Sequence, residues 1–398
     1  MLSGIKNKLS VFIILFGLYN IIVPIITQTT YDPNNVILLA VSMIAFVFFL
    51  FIKRKHDISL VVVLGIVAFS LIFIAASLNS FSYLQYTKWL IFVISLFFYY
   101  IMFKSDIPLA EGNYRLLYLA TLIQIVLFVM DLFNASAYTI MESGTFFISC
   151  FDNKNATAMH LLTLCCIMIL FAQRARAKKG KLRAIIPLAA FGVCVYLLIL
   201  TGSRSSLAGV IFIIPFYFLP KLKKIISKPI IFLFLIFPFV FAAVYVALYR
   251  AGHQELQLFG RALFNGRENL WIQVFNGNFF DWTFGMYSQF ARPDGMPFQL
   301  HNGTIDLIAT YGLIITVVFL ALIYKMMAWL YSSKSEINRM IVVCICALII
   351  QSIGEAALFN GTRVVYICMI LMFIERKQNN APTKGDTAIT TGRIKNSA

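Results

Sequence analysis

Long apolar runs separated by short polar breaks dominate this chain from near its first residue to about residue 375. An α-helix needs about 20 mostly apolar residues to cross a hydrocarbon core of roughly 30 Å, so runs of about that length predict transmembrane helices. Twelve such windows emerge, over 9–28, 36–52, 58–78, 86–103, 115–133, 155–172, 184–201, 205–219, 229–248, 303–324, 339–357 and 362–375. The eighth and twelfth are short, which makes eleven the alternative count. The first run lacks a small-residue cleavage site and flows into the pattern that follows, so it is expected to act as an anchor. The pattern predicts an all-α polytopic membrane protein. Residues 1–375 form one transmembrane domain in this reading, with a larger outer loop over 249–301. Residues 376–398 lack apolar periodicity and are expected to form a disordered cytoplasmic tail. No internal repeat of the kind seen in many secondary transporters is visible.

Composition agrees with the pattern: 61% of the 398 residues are hydrophobic and 12% are charged, far from the usage of soluble domains. Charge adds a direction. The formal net charge is +17, from 33 Lys and Arg against 16 Asp and Glu. With both termini in the cytoplasm, 25 of the 33 basic residues fall on inner segments, six of them in "QRARAKKGKLR" (173–183), and 8 on outer ones. That division follows the positive-inside rule, so the basic excess reports topology. Nucleic-acid binding would need basic patches interleaved with aromatics in a folded domain, and no such domain exists in the pattern. The seven cysteines lie mostly inside the windows and lack metal-ligand spacing, so they read as small core residues, with neither a zinc site nor a disulfide framework.

Sorting the loops by side leaves the inner ones short and basic and the outer ones chemically unusual, which points function outward. In the long outer loop, "RENLWIQVF" puts Leu270, Trp271, Val274 and Phe275 on one helical face. That spacing predicts a helix lying at the membrane surface over the bundle. Helices that run inward present unpaired N–H groups and a positive dipole end to the outer side. The sixth, eighth and tenth windows do so, and they open with "FDNKN" (Asn155), "TGSRSS" (Ser203, Arg204) and "HNGT" (His301, Asn302). An arginine facing hydrocarbon is costly, so Arg204 reads either as an interfacial snorkelling residue or as a phosphate grip. A guanidinium suits bidentate phosphate recognition, and the helix end adds to its field. Arg267 is either a loop charge paired with Glu268 or a second cation of the same kind. A free imidazole can accept a proton near neutral pH, which makes His301 a candidate base. Asp306 lies one turn inside its helix, where a carboxylate needs a partner or a pocket. Asp152 and Glu142 read first as solvated carboxylates with a sugar hydroxyl as the alternative, Glu355 and Arg363 around the last outer turn as an ion pair or as members of a site, and His160 and His253 as structural.

The ordered set "TGSRSSLAG" (201–209), "GRENLW" (266–271) and "HNGTIDLIATYGLI" (301–314) resembles the bacterial O-antigen polymerase and O-antigen ligase superfamily. The motifs are short, and the resemblance rests on their order, spacing and common sidedness over residues 150–320. It implies a GT-C-type membrane glycosyltransferase bundle of about twelve helices that works without a metal or other cofactor. The implied partners are an undecaprenyl-pyrophosphate-linked oligosaccharide, membrane lipids, and a flippase and chain-length regulator, in the bacterial cytoplasmic membrane with the site outside. Carried over by motif, Arg204 and Arg267 hold the donor pyrophosphate and His301 orients or deprotonates the acceptor hydroxyl, with Asn155, Ser203, Asn302 and Asp306 as substrate-binding neighbours. The "GR-x-x-LW" and "HN-x-x-x-D" forms are closer to polymerases, which join lipid-linked repeat units. A ligase, which transfers finished glycan to lipid A core, is the alternative within the superfamily. A lipid-linked oligosaccharide flippase or transporter is the alternative outside it. One departure stands out: relatives often continue "GLIG", whereas this chain reads "GLIITV" from Gly312, which argues against close packing there.

Overall fold

The structure, a computed structural model, describes residues 2–27, 99, 102–103, 109–141, 144–151, 153–258, 261–262, 264, 266–285, 300–333, 335–355 and 363–375. The windows at 36–52 and 58–78, nearly all of 86–103, the carboxylates Glu142 and Asp152, and the tail 376–398 lie outside the described residues. Each remaining window coincides with a helix. These are α1 (Leu2–Thr27), α2 (Glu111–Asp131), α3 (Lys154–Lys179), α4 (Ile185–Thr201), α5 (Arg204–Phe218) and α6 (Lys228–Arg250), then α9 (Gly303–Ser332), α10 (Glu336–Gln351) and α11 (Arg363–Leu371). Two shorter helices, α7 (Arg267–Phe275) and α8 (Phe279–Phe284), lie between α6 and α9. Among the described residues, six helices are long and apolar enough to cross a membrane, namely α1, α2, α3, α4, α6 and α9. The protein is therefore an overwhelmingly helical, polytopic membrane protein. Two small antiparallel hairpins depart from the all-helical expectation: Tyr138–Met141 (β1) with Gly144–Phe147 (β2), and Gln257–Leu258 (β3) with Arg261–Ala262 (β4). The first uses β-branched and aromatic residues that favour extended pairing, in a stretch too short to show as a periodic pattern.

α3 is the axis of the bundle, buried from Ala158 through Ala172 and packed against α2, α4, α5, α10 and α11. A helix apolar on every face has this fate. Its cysteines act as small packing residues: the Cys166 thiol lies 3.9 Å from the Cys344 carbonyl and the Cys344 thiol 3.8 Å from that of Cys166. All seven cysteines are buried and unbonded to one another.

The contacts gather the short segments into two ends. At one end Asn7 meets Ala110 and Asn113, Arg174 pairs with Glu111 at 2.7 Å, and buried Lys223 reaches Gln173 and Glu336. These are the segments that the basic-residue distribution assigns to the inner side. The opposite end holds the first hairpin, the α4–α5 turn, α7, and the α9 and α10 ends facing them.

Two close approaches shape that opposite end. A Cβ on Gly209 would lie 2.9 Å from Leu162 and 3.0 Å from the Ala347 carbonyl, so the glycine lets α5 touch α3 and α10 together. α5 and α10 have 15 and 16 residues, about 22–24 Å of helix, shorter than a hydrocarbon core of about 30 Å. Asn302, at the start of α9, donates to the Pro238 carbonyl half-way along α6, and the Gly303–Ser352 and Gln351–Ser206 bonds tie the end of α10 and the start of α5 to that level, so these ends lie recessed beside α6.

The second approach corrects an expectation. The window at 303–324 predicts an unbroken helix, and the "GLIITV" sequence argues against close packing. The helix instead breaks at Gly312, with φ 81° and ψ 165°. A Cβ there would sit 2.1 Å from the Thr283 carbonyl oxygen, and one on Gly285 would sit 3.0 Å from that of Thr310. α8 is thus pressed backbone to backbone onto the break. Gly312→Ala is expected to cost at least about 2 kcal/mol from strain and overpacking, lowering the melting temperature of purified protein. Gly192→Ala in α4, where a Cβ meets nothing within 4 Å, should leave it unchanged or raise it.

Candidate functional site

The turn "QSIGE" (351–355), at the end of α10, is where the recessed end is assembled. Gln351 Nε2 donates to Ser206 Oγ of α5 at 2.6 Å. The Ser352 carbonyl accepts from Gly303 N at 2.8 Å, and the Ile353 carbonyl accepts from Asn302 Nδ2 at 3.2 Å. A Cβ on Gly354 would lie 3.4 Å from both Arg267 Nη1 and Ser205 Oγ, so a small residue keeps the start of α5 against the arginine. Glu355 then bridges two of the residues singled out by sequence. Its Oε1 lies 3.3 Å from Arg267 Nη2 and its Oε2 lies 3.1 Å from His301 Nδ1. The carboxylate side chain is 7% exposed, while Arg267 and His301 are 26% and 25% exposed. The acid is buried and its partners are accessible.

Each partner is fixed by its own element. Arg267 begins α7, whose apolar face packs on α6 through Trp271 and Val274, against Tyr245 and Phe241. The expectation of a helix lying over the bundle holds, with the contact made to the aromatic surface of α6. Glu268 does not pair with Arg267. It turns back to accept from Gly266 N at 2.8 Å and from the Tyr245 hydroxyl at 3.4 Å. Trp271 Nε1 donates to the Leu300 carbonyl at 2.6 Å, which ties the residue before His301 to α7.

His301 has φ 50°, a left-handed conformation that is uncommon for a side-chain-bearing residue. The residues on either side hold it there. Asn302 is fully buried, and all its amide positions are used: Oδ1 caps Thr304 N and Ile305 N at 3.1 Å, and Nδ2 donates to the Pro238 and Ile353 carbonyls. A carboxylate only accepts, so Nδ1 of His301 carries the proton and Nε2 of the neutral ring carries the lone pair. That is the arrangement of an oriented base.

The three helix starts expected to attract anions differ in what they leave open. In α9, Asn302 and the Ser352 carbonyl take up the first N–H groups. In α3, Asn153 accepts from the backbone N of half-buried Asn155 at 2.8 Å. In α5, the N-cap Ser203 makes no side-chain cap bond. Arg204 there is exposed and, among the described residues, makes neither a hydrogen bond nor an ion pair. The α5 start is the open one, and Ser205 there and Arg267 flank Gly354. Lys154 stands near it, with its ammonium 3.7 Å over the Phe146 ring, whose edge presses on Gly202.

The structure thus brings Arg267, His301 and the α5 start with Ser203 and Arg204 around one turn. Asn302 lies beneath as a brace, and half-buried Asp306 is one turn into α9. Asn155 opens α3, joined to this group through the Lys154 and Phe146 contact. Glu355 was missed as the link. Its sequence signal was a carboxylate at an outer helix end, where Arg363 offered a nearer partner along the chain. Among the described residues, no three His, Cys, Asp or Glu side chains come together as metal ligands. Comparison with protein-family models, curated proteins and solved structures finds no match to this chain.

Asn302→Ala removes four hydrogen bonds at a buried cap and is expected to destabilise the protein by about 2–4 kcal/mol. Thermal unfolding in detergent measures it; an unchanged midpoint would deny Asn302 its bracing role.

Proposed function

We propose that the protein is a membrane glycosyltransferase that polymerises a bacterial polysaccharide at the outer face of the cytoplasmic membrane. The donor is an undecaprenyl-pyrophosphate-linked glycan and the acceptor is a hydroxyl of a lipid-linked repeat unit. In this reading the chain is a twelve-span GT-C-type bundle with both termini in the cytoplasm. The observation that carries it is the open start of α5, which holds exposed Arg204 and meets Arg267 across Gly354, next to a histidine whose Nδ1 is held by Glu355. The motif resemblance supports the same assignment.

The chemistry follows from these groups. The donor pyrophosphate binds at the N–H groups of the α5 start and at the two guanidinium groups, where fixed positive charge stabilises it as it departs. His301 Nε2 accepts the proton of the acceptor hydroxyl as its oxygen attacks the anomeric carbon. The glycosyl carbon–oxygen bond to phosphate breaks, and undecaprenyl pyrophosphate leaves with the electron pair. Glu355 balances the imidazolium that forms. A recessed site suits a donor whose phosphates sit at the membrane interface on a lipid anchor.

Arg204→Ala and Arg267→Ala are each expected to abolish transfer while the protein inserts normally, and lysine at either position should restore only part, since a point charge lacks the bidentate fork. His301→Gln should lower the rate by about 10²–10⁴. The readout is glycan analysis of a deletion strain complemented with each variant, separating carrier-linked units from polymer. Loss of long chains, with single units still delivered to the final acceptor, supports the polymerase. Full-length polymer stranded on its carrier would mean a ligase, and unchanged glycans would mean a flippase or another transporter.

A further inference from the structure

The start of α5 contains a buried polar chain that the proposed chemistry leaves unused. Gln351 Nε2 donates to Ser206 Oγ at 2.6 Å, and Ser206 Oγ lies 3.1 Å from Ser203 Oγ. Gln351 and Ser206 are fully buried and Ser203 is 4% exposed. Gln351 Oε1, in the same amide, has no hydrogen-bond partner among the described residues. Ser203 occupies the N-cap, yet its oxygen accepts nothing from the first turn, as an N-cap serine ordinarily does.

Ser206 Oγ accepts from Gln351, and among the described residues Ser203 Oγ is the acceptor within reach of its one proton, which sets the direction of the chain. The Gln351 amide donates to Ser206, Ser206 passes its proton to Ser203, and the Ser203 proton is left to point away from the chain. Every group at the mouth of α5 is then a donor: the free N–H groups of the first turn, the Ser203 hydroxyl and the Arg204 guanidinium. With the amide turned over, Ser206 would donate to Gln351 and Ser203 to Ser206. The Ser203 proton would then be spent inside the chain, leaving only its oxygen, an acceptor, toward the helix start, where it would repel an anion. A buried acceptor left without a donor is uncommon and asks for an explanation. Here the unpaired Oε1 sits on the same buried amide whose Nε2 opens the chain.

We propose that Gln351 is a positioning residue that fixes the direction of the Gln351–Ser206–Ser203 hydrogen-bond chain and so holds Ser203 as a donor to the pyrophosphate of the lipid-linked glycan. The inference rests on the reading of the α5 start as the pyrophosphate site. Gln351 acts through the serines and does not touch the phosphate. Its place is set by the Gly209 contact with Ala347, which brings the end of α10 level with the first turn of α5.

The test is titration of purified, detergent-solubilised protein with inorganic pyrophosphate by calorimetry. Ser203→Ala and Gln351→Met are each expected to raise the Kd by about tenfold, the loss of one hydrogen bond to a charged group. The double variant should bind no more weakly than either single one, since both remove the same donor. Ser206→Ala, a smaller change in the core, should repeat the effect of Gln351→Met. A merely structural Gln351 would lower the melting temperature and leave the Kd unmoved. An unmoved Kd in Gln351→Met and Ser206→Ala, or effects that multiply in the double variant, would overturn the relay while leaving the glycosyltransferase reading intact. Wild-type protein that does not bind pyrophosphate, or binds it equally well as Arg267→Ala, would bring down both.

Discussion

A buried carboxylate must be paired or it becomes a liability, and Glu355 meets that demand with two partners at once. Arg267 comes from a loop helix and His301 from the approach to α9, with Glu355 at the end of α10, so three distant stretches of chain converge on one acid. Removing Arg267 leaves the buried acid without its guanidinium partner, and removing Glu355 leaves the guanidinium without its acid. The pairing also assigns roles. The acid fixes which ring nitrogen of His301 holds the proton, and it anchors one nitrogen of Arg267 while Nη1 lies toward Ser205 and the start of α5.

That convergence depends on backbone contacts that only small residues permit. Gly209 brings α5 onto α10, and Gly312 lets α9 break and accept α8 against its exposed peptide groups. Irregular backbone at membrane depth is tolerated where protein surrounds it, and here α8 and the outer loop provide the cover. The break frees the Gly303–Tyr311 segment to follow the site. The Asn302 cap, tied to Pro238 part-way along α6, sets the depth of His301.

Most helices were legible because lipid-spanning segments are written as long apolar runs, and nine of the runs meet helices in the described residues. The hairpin at 138–147 was not, because four-residue strands leave no periodic trace. The broken α9 was not, because Gly312 reads as any glycine until Thr283 is seen beside it. Arg204, Arg267 and His301 were legible as polar residues where apolar ones are the rule. The motif resemblance placed them in one site, but the link through Glu355 was not legible, because its partners lie 54 and 88 positions away along the chain. Asn302 shows the opposite case: the sequence marked it as a ligand-binding polar residue, whereas its amide is fully engaged in holding the chain.

The account stands on the claim that Glu355 and Arg267 answer each other across the turn. A double-mutant cycle on thermal unfolding tests it directly, with Arg267→Ala, Glu355→Ala and the pair together in the purified protein. The single losses should exceed the combined one, with a coupling of about 1–3 kcal/mol, since removing the arginine strands a buried acid that the second change takes away. Strict additivity of the two changes would contradict the bridge, and with it the assembly of the site around Glu355.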